Sequence, residues 1–209
     1  MSLADLRERL RRRTSERIVR DAQHLCDEPL LDGARLESTR TTLVVGPTRV
    51  WVLTGTVLEE WPRARVTMGV EGRERFLRLP DGRRERVRAA PRSLEATLAT
   101  PPSEPAYLAD DDGIERVEPD GRGTRVTWES LRQVTLVRPT SQGWETVLFT
   151  GVHGDLRVPF PAMREALWDR VRRLPGADAS FVDAAISSSA TRDRLVWWQG
   201  MDTDPDHDR

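Results

Sequence analysis

Apolar residues along this chain follow a helical period first, a strand-like period next, and a helical one again toward the end. From Leu3 to about Cys26, Leu3, Leu6, Leu10, Ile18, Ala22 and Leu25 are spaced to share one side, which predicts a helix. Arg7, Arg9, Arg11, Arg12, Arg13, Arg17 and Arg20 take much of the remainder. The pattern fits an amphipathic helix within 1–30, packed on the body with a solvated basic face. The sharper alternative is an anion-binding arm for lipid headgroups or nucleic acid. Asp5, Glu8, Glu16 and Asp21 interrupt the charge run and favour the packed helix.

Beyond Pro29 and Gly33, which read as breakers, the texture turns to period-two segments separated by turn residues, the pattern of half-buried antiparallel strands. Val50 and Val52 alternate with Arg49 and Trp51, and Gly55 marks the turn into Val57. Arg73 to Leu79 predicts a strand, Pro80-Asp81-Gly82 a hairpin turn, and Arg83 to Arg88 the return. Pro91 then suits the first turn of a short helix over Ser93 to Ala99, which Pro101, Pro102 and Pro105 stop. A first unit over 38–100 follows, with a domain boundary in the proline-rich connection.

The second unit, over 105–176, starts at Tyr107, turns at Asp112-Gly113 and gives strands at Ile114 to Glu118 and Thr124 to Thr127 around Pro119-Asp120-Gly121. A turn at Trp128 to Leu131 drops Trp128 and Leu131 onto the core. Three strands follow near Gln133 to Arg138, Trp144 to Phe149 and Asp155 to Val158. Pro161 begins a helix with an apolar stripe of Met163, Leu167, Trp168, Val171 and Leu174, able to close an open barrel end. Residues 177–200 read as a C-terminal helical clasp, with a helix from Phe181 to about Ala190 and then Leu195-Val196-Trp197-Trp198; 201–209 read as a short, acidic, disordered tail.

The two units share an order of signals. Leu43, Trp61, Val66-Thr67, Phe76 to Leu79, Gly82, Val87 and Leu94 in the first answer to Leu108, Trp128, Val134-Thr135, Val147 to Phe149, Gly154, Val158 and Leu167 in the second. The second unit runs from a Gly113-Ile114 strand to a corner made by Thr127, Trp128, Leu131 and Val134, then through paired strands to Val158-Pro159-Phe160 before its helix. In this it resembles bacterial pleckstrin-homology-like (PH-like) domains, over Tyr107 to Pro175. The first unit departs from that pattern, since Trp61 is followed by proline and no Val-Pro-Phe precedes its helix. The resemblance implies small antiparallel barrels, each capped by a C-terminal helix, that bind rather than catalyse. Phosphoinositide-binding members of that family carry a basic cluster with lysine in the first hairpin. Here Thr54-Gly55-Thr56 and Asp120-Gly121-Arg122-Gly123 lack the charge to hold a polyphosphate, so lipid recognition is not carried over. The expected fold class is mainly β with α (α+β), as two such units plus terminal helices.

Charge changes this picture little: 33 basic residues against 34 acidic ones give a net charge of −1, so no global field calls for nucleic acid or an anionic membrane. Every basic residue is arginine, which excludes chemistry that needs a lysine on a phosphate or in a Schiff base. One cysteine, Cys26, forms no intramolecular disulfide and suits a reducing cytoplasm. The longest apolar run, Leu43 to Leu53, is broken by Gly46, Pro47 and Arg49, and no stretch reaches the roughly 18 to 20 residues of a membrane span.

Reaction centres fail on spacing. His24 and Cys26 are two apart on a helix and point away from each other. Asp202, Asp204 and Asp206 imitate a calcium loop without its glycine and glutamate. Gly121-x-Gly123 precedes no helix, and Ser187 to Ser189 lack a neighbouring histidine. The sequence therefore predicts a non-enzymatic, cofactor-free interaction module whose partner is another protein, with a homo-oligomer as a further option and an enzyme whose site forms only in three dimensions as the third reading. Trp197 and Trp198 read first as a clasp on the core and second as the best partner contact. The alternative is an anion-binding face for nucleic acid or acidic lipid, with Arg84, Arg86 and Arg88 on one strand and Arg73 and Arg75 on its neighbour. Glu71, Glu74 and Glu85 dilute that face toward a plain charged exterior.

Overall fold

The computed structural model describes residues 3–37, 41–72, 74–88, 91–137, 146–187 and 193–199. Helix α1 (Leu3–Ala22) places Asp5 in its first turn and Arg20 in its last, each complementing the helix dipole. Its buried strip is narrow, Ser15, Ile18 and Ala22, while Leu10 is 55% exposed and Leu25, in the following 3-10 turn, 49%. The side chains of Leu3 and Leu6 lie outside the described residues.

Seven strands follow: β1 (Asp32–Leu36), β2 (Thr41–Val45), β3 (Arg49–Thr54), β4 (Val57–Pro62), β5 (Thr67–Glu71), β6 (Glu74–Arg78) and β7 (Arg84–Arg88), in the order β4-β3-β2-β1-β7-β6-β5. The pairs across β1 and along both meanders are antiparallel. Gly82, with φ of 86°, makes the turn between β6 and β7 that the sequence predicts. The sheet begins with β1, ahead of the first strand expected from the sequence. Gly33, read as a breaker, lies inside this strand because helix α1 crosses close above it. A β-carbon at Gly33 would stand 2.7 Å from Ile18 Cγ2. Ser15 Oγ accepts from the Gly33 N–H at 3.0 Å and donates to Asp32, fixing the crossing.

The first sheet is therefore covered on both faces. Its inner row, Leu36, Leu43, Val45, Val50, Val52, Leu77 and Val87, packs with Leu94 of α2 (Arg92–Ala99), whose N-cap is Pro91. On the outer face Val44 and Trp51 pack with Ile18, Ala22 and Cys26. Each large apolar side chain so buried contributes about 1.5–3 kcal/mol. Two buried arginines secure the ends. Arg63 donates to Pro47 O at 2.8 Å and to Thr100 O at 2.6 Å, joining the β2–β3 turn to the end of α2. Arg49 pairs with Glu28 at 2.6 Å, Glu60 at 2.8 Å and Asp27 at 3.0 Å, locking the connection after α1 onto β3.

The chain divides into two units, residues 1–106 with 117–122 and residues 107–116 with 123–209. In the second, β8 (Ala106–Ala109), β9 (Gly113–Val117) and β10 (Gly123–Thr127) form one sheet in the order β10-β9-β8. β11 (Leu131–Val137), β12 (Thr146–Gly151), β13 (Gly154–Pro159) and β14 (Arg194–Trp198) form another, in the order β13-β12-β11-β14. Helices α3 (Glu165–Arg172) and α4 (Ala179–Ser187) close the core. All five residues of the expected stripe are buried, but the helix is shorter than expected: Leu167, Trp168 and Val171 lie in α3, while Met163 precedes it after a 3-10 turn at Phe160–Ala162 and Leu174 follows it. Leu131 is buried too, and Trp128 packs on the same core while its Nε1–H donates to Asp110 O at 2.9 Å.

The helical clasp expected over 177–200 is half strand. Residues 194–198 pair antiparallel with β11, with a register shift between Val134 and Thr135. That bulge lets consecutive Val196 and Trp197 both face the core, which hides the period-two signal. The whole is an α+β fold, mostly antiparallel strands in sheets with a few helices. Trp144, Arg73 and the tail 201–209 lie outside the described residues.

Candidate functional site

The arginine face assembles differently from its sequence-based outline. In the β6–β7 register Phe76 opposes Arg86, Leu77 opposes Glu85 and Arg78 opposes Arg84. Arg84, Arg86 and Arg88 do share the outer face, with Arg78 and Phe76 beside them. Arg75 does not: it falls on the opposite face with Leu77 and Val87, where it pairs with Glu95 of α2. Arg73 lies outside the described residues.

Most charges on this outer face are already matched. Arg84 bridges to Glu71 and stacks over the Phe76 ring at 3.7 Å. Arg86 bridges to Glu37 at 3.0 Å and to Glu74. The hydrogen bond from Arg84 holds the Glu71 carboxyl below the usual carboxylate range. Such a lattice of pairs leaves little cation free for phosphates.

The tryptophan pair splits. Trp197 is buried and its Nε1–H donates to Pro175 O at 2.9 Å, sealing β14 to the end of α3. Trp198, its neighbour, turns to the outer face and is 50% exposed. It stands at the edge strand opposite Gln133. The same face carries Thr135 and Val137 of β11, Leu148 of β12 and Leu195 of β14, all half-buried. The inner row of these strands, Val134, Leu136, Val147 and Phe149, is fully buried, and the buried residues of α3 and α4 join that inner cluster. Among the described residues of this unit no helix packs its buried side chains on the outer face. The signal for it was present in Thr146-Val147-Leu148-Phe149, whose apolar run does not alternate with charge.

Two groups beside Arg49 have shifted ionisation. Burial pushes the Cys26 thiol up to about 11, with Asp27 and Glu60 adding to the shift. Burial likewise raises the Glu60 carboxyl despite its ion pair with Arg49. Among the described residues no group of three or more His, Cys, Asp or Glu side chains could hold a metal ion, and no helix is long and apolar enough to cross a membrane. Comparison with known proteins finds no matching family model, no matching curated protein and no matching solved structure.

Proposed function

We propose that this chain is a non-catalytic interaction module of two PH-like units that receives a protein partner on the outer face of the four-stranded sheet of its second unit. The observation that carries the reading is exposed Trp198 beside half-buried Leu195, Val137 and Leu148, on strands whose other face is completely packed. Exposed apolar groups of this kind, centred on a tryptophan, suit a partner contact. The occupant that fits is an amphipathic helix of another protein, because α1 fills the corresponding face of the first sheet in that way.

The PH-like assignment is supported by the element order. β5, β6, β7 and α2 in the first unit and β11, β12, β13 and α3 in the second are each a three-strand meander followed by a helix. The first unit, although its sequence departs further from the family pattern, has seven strands before its helix. A single buried thiol is in keeping with a cytoplasmic setting.

The test is capture from a native extract with immobilised wild type, Trp198→Ala, Leu148→Glu and Arg84→Glu, each checked by circular dichroism. Wild type and Arg84→Glu should retain a protein that the two outer-face variants lose. Equal capture by all four would sink the proposed face. Loss with Arg84→Glu alone would move the site to the arginine face.

A further inference from the structure

A cleft of about 280 Å³ opens between α1 and the outer face of the first sheet. Ile18 and Leu25 from the helix side and Leu53 from β3 give it an apolar lining, and Arg17, Asp21 and Arg35 give it charge. Leu58, 43% exposed, stands opposite Leu53 in register and extends the apolar surface at one end. The exposure of Leu25 and Leu58 is an apolar area that a ligand would remove from water.

The charges at the other end are unusual for this protein. Arg35 of β1 stands directly opposite Arg88 of β7, so two guanidinium stems leave one sheet face side by side. Like charges in that position oppose strand pairing. Their neighbours on that face, Arg84 and Arg86, are bridged by Glu71, Glu37 and Glu74. Among the described residues neither Arg35, Arg88 nor Arg17 has a carboxylate within ion-pair distance. An anion bound at Arg35 would offset its repulsion from Arg88.

We propose that this cleft binds a small amphiphilic carboxylate, with its alkyl chain on Ile18, Leu25 and Leu53 and its head group held by Arg35 and Arg17. Arg88 adds to the positive field at the head-group end. A guanidinium matches a carboxylate through two parallel hydrogen bonds. Asp21, on the same lining, offsets part of the positive charge, which disfavours a polyanion more than a single carboxylate on an apolar body. The volume lies at the lower end of the range for small-molecule sites and suits a medium chain. This site is independent of the partner face on the second unit.

The experiment is calorimetric titration of the full chain with sodium octanoate, octan-1-ol, octylammonium, acetate and inorganic phosphate, with thermal melts alongside. Octanoate should bind one to one and raise Tm, and the other four should bind at least about tenfold more weakly or not at all, a gap expected when a charge-assisted pair or the apolar contact is lost. Arg35→Gln should weaken octanoate by about tenfold while leaving the unliganded Tm unchanged or higher, since it removes a like-charge neighbour. Absence of saturable octanoate binding at millimolar concentration would overturn the proposal on wild type alone. Equal binding of octan-1-ol or phosphate would overturn it as well, as would unchanged affinity in Arg35→Gln.

Discussion

The outer faces of the two main sheets carry similar residue types and meet different fates. In the first unit Val44 and Trp51 lie under α1, with Trp51 1% exposed. In the second, Leu148 and Leu195 occupy the corresponding layer half-open, and Trp198 beside them more so. Both inner rows are packed to completion, so the difference does not come from an incomplete core. An antiparallel sheet needs only one packed face, the other being free to meet water. In the first unit the chain supplies its own cover, and Gly33 is the position that makes room for it.

The comparison is most easily broken at Trp51. Trp51→Ala should cost about 3–5 kcal/mol by urea denaturation, the usual loss for a buried large aromatic. Leu148→Ala on the half-buried outer face should cost about 1–2 kcal/mol, between a surface and a core substitution. Equal losses would mean that the second face is covered after all. Gly33→Ala should cost about 1–3 kcal/mol, because the added methyl meets Ile18 rather than a strained backbone. Combining it with Ile18→Val should restore part of that loss, and strict additivity would show that the helix does not press on the strand there.

Smaller again is the effect of Trp198→Ala on folding, expected within about 0.5 kcal/mol even if partner capture is abolished. Trp197→Ala, one residue away, should destabilise by about 3–5 kcal/mol, so denaturation and capture of the two variants together separate stability from binding. The mildest probe is the thiol. With Cys26 raised from 9.0 to about 11, chiefly by burial, the unfolded chain ionises first, and stability present below pH 9 should decline as pH rises toward 11. Iodoacetamide should label native protein slowly at pH 8, and Gly33→Ala, by loosening α1, should speed it. Rapid labelling of the wild type would place the cover over Trp51 in doubt.

Much of this fold was legible because its periods survive burial. The stripe from Met163 to Leu174 faces one core and nothing else, so spacing alone locates it. The hairpin around Gly82 was equally plain. Three features were not legible, each for a local reason. β1 hid behind Gly33, whose missing side chain serves a helix crossing rather than a turn. β14 hid behind a bulge that sends Val196 and Trp197 the same way. Arg75 was assigned to the wrong face because parity across a hairpin depends on the turn: even-numbered Phe76 pairs with even-numbered Arg86, and a register different by one residue would exchange the faces. The tryptophan pair stands out in the sequence, but which member is buried depends on the bulge: Trp197 faces the core and Trp198 is half exposed. Arg35 was passed over, because its meaning appears only when the register sets it against Arg88.

The late position of β14 has a consequence for biosynthesis. Every strand of the first sheet and its closing helix have been translated by Ala99, whereas the second sheet receives its edge strand only at Arg194–Trp198, about sixty residues after the β11 segment it pairs with. A ribosome releasing this chain would therefore free a domain able to collapse early and another that must wait with one strand edge and the future seat of Trp197 bare, which makes the nascent second half the part most in need of a chaperone.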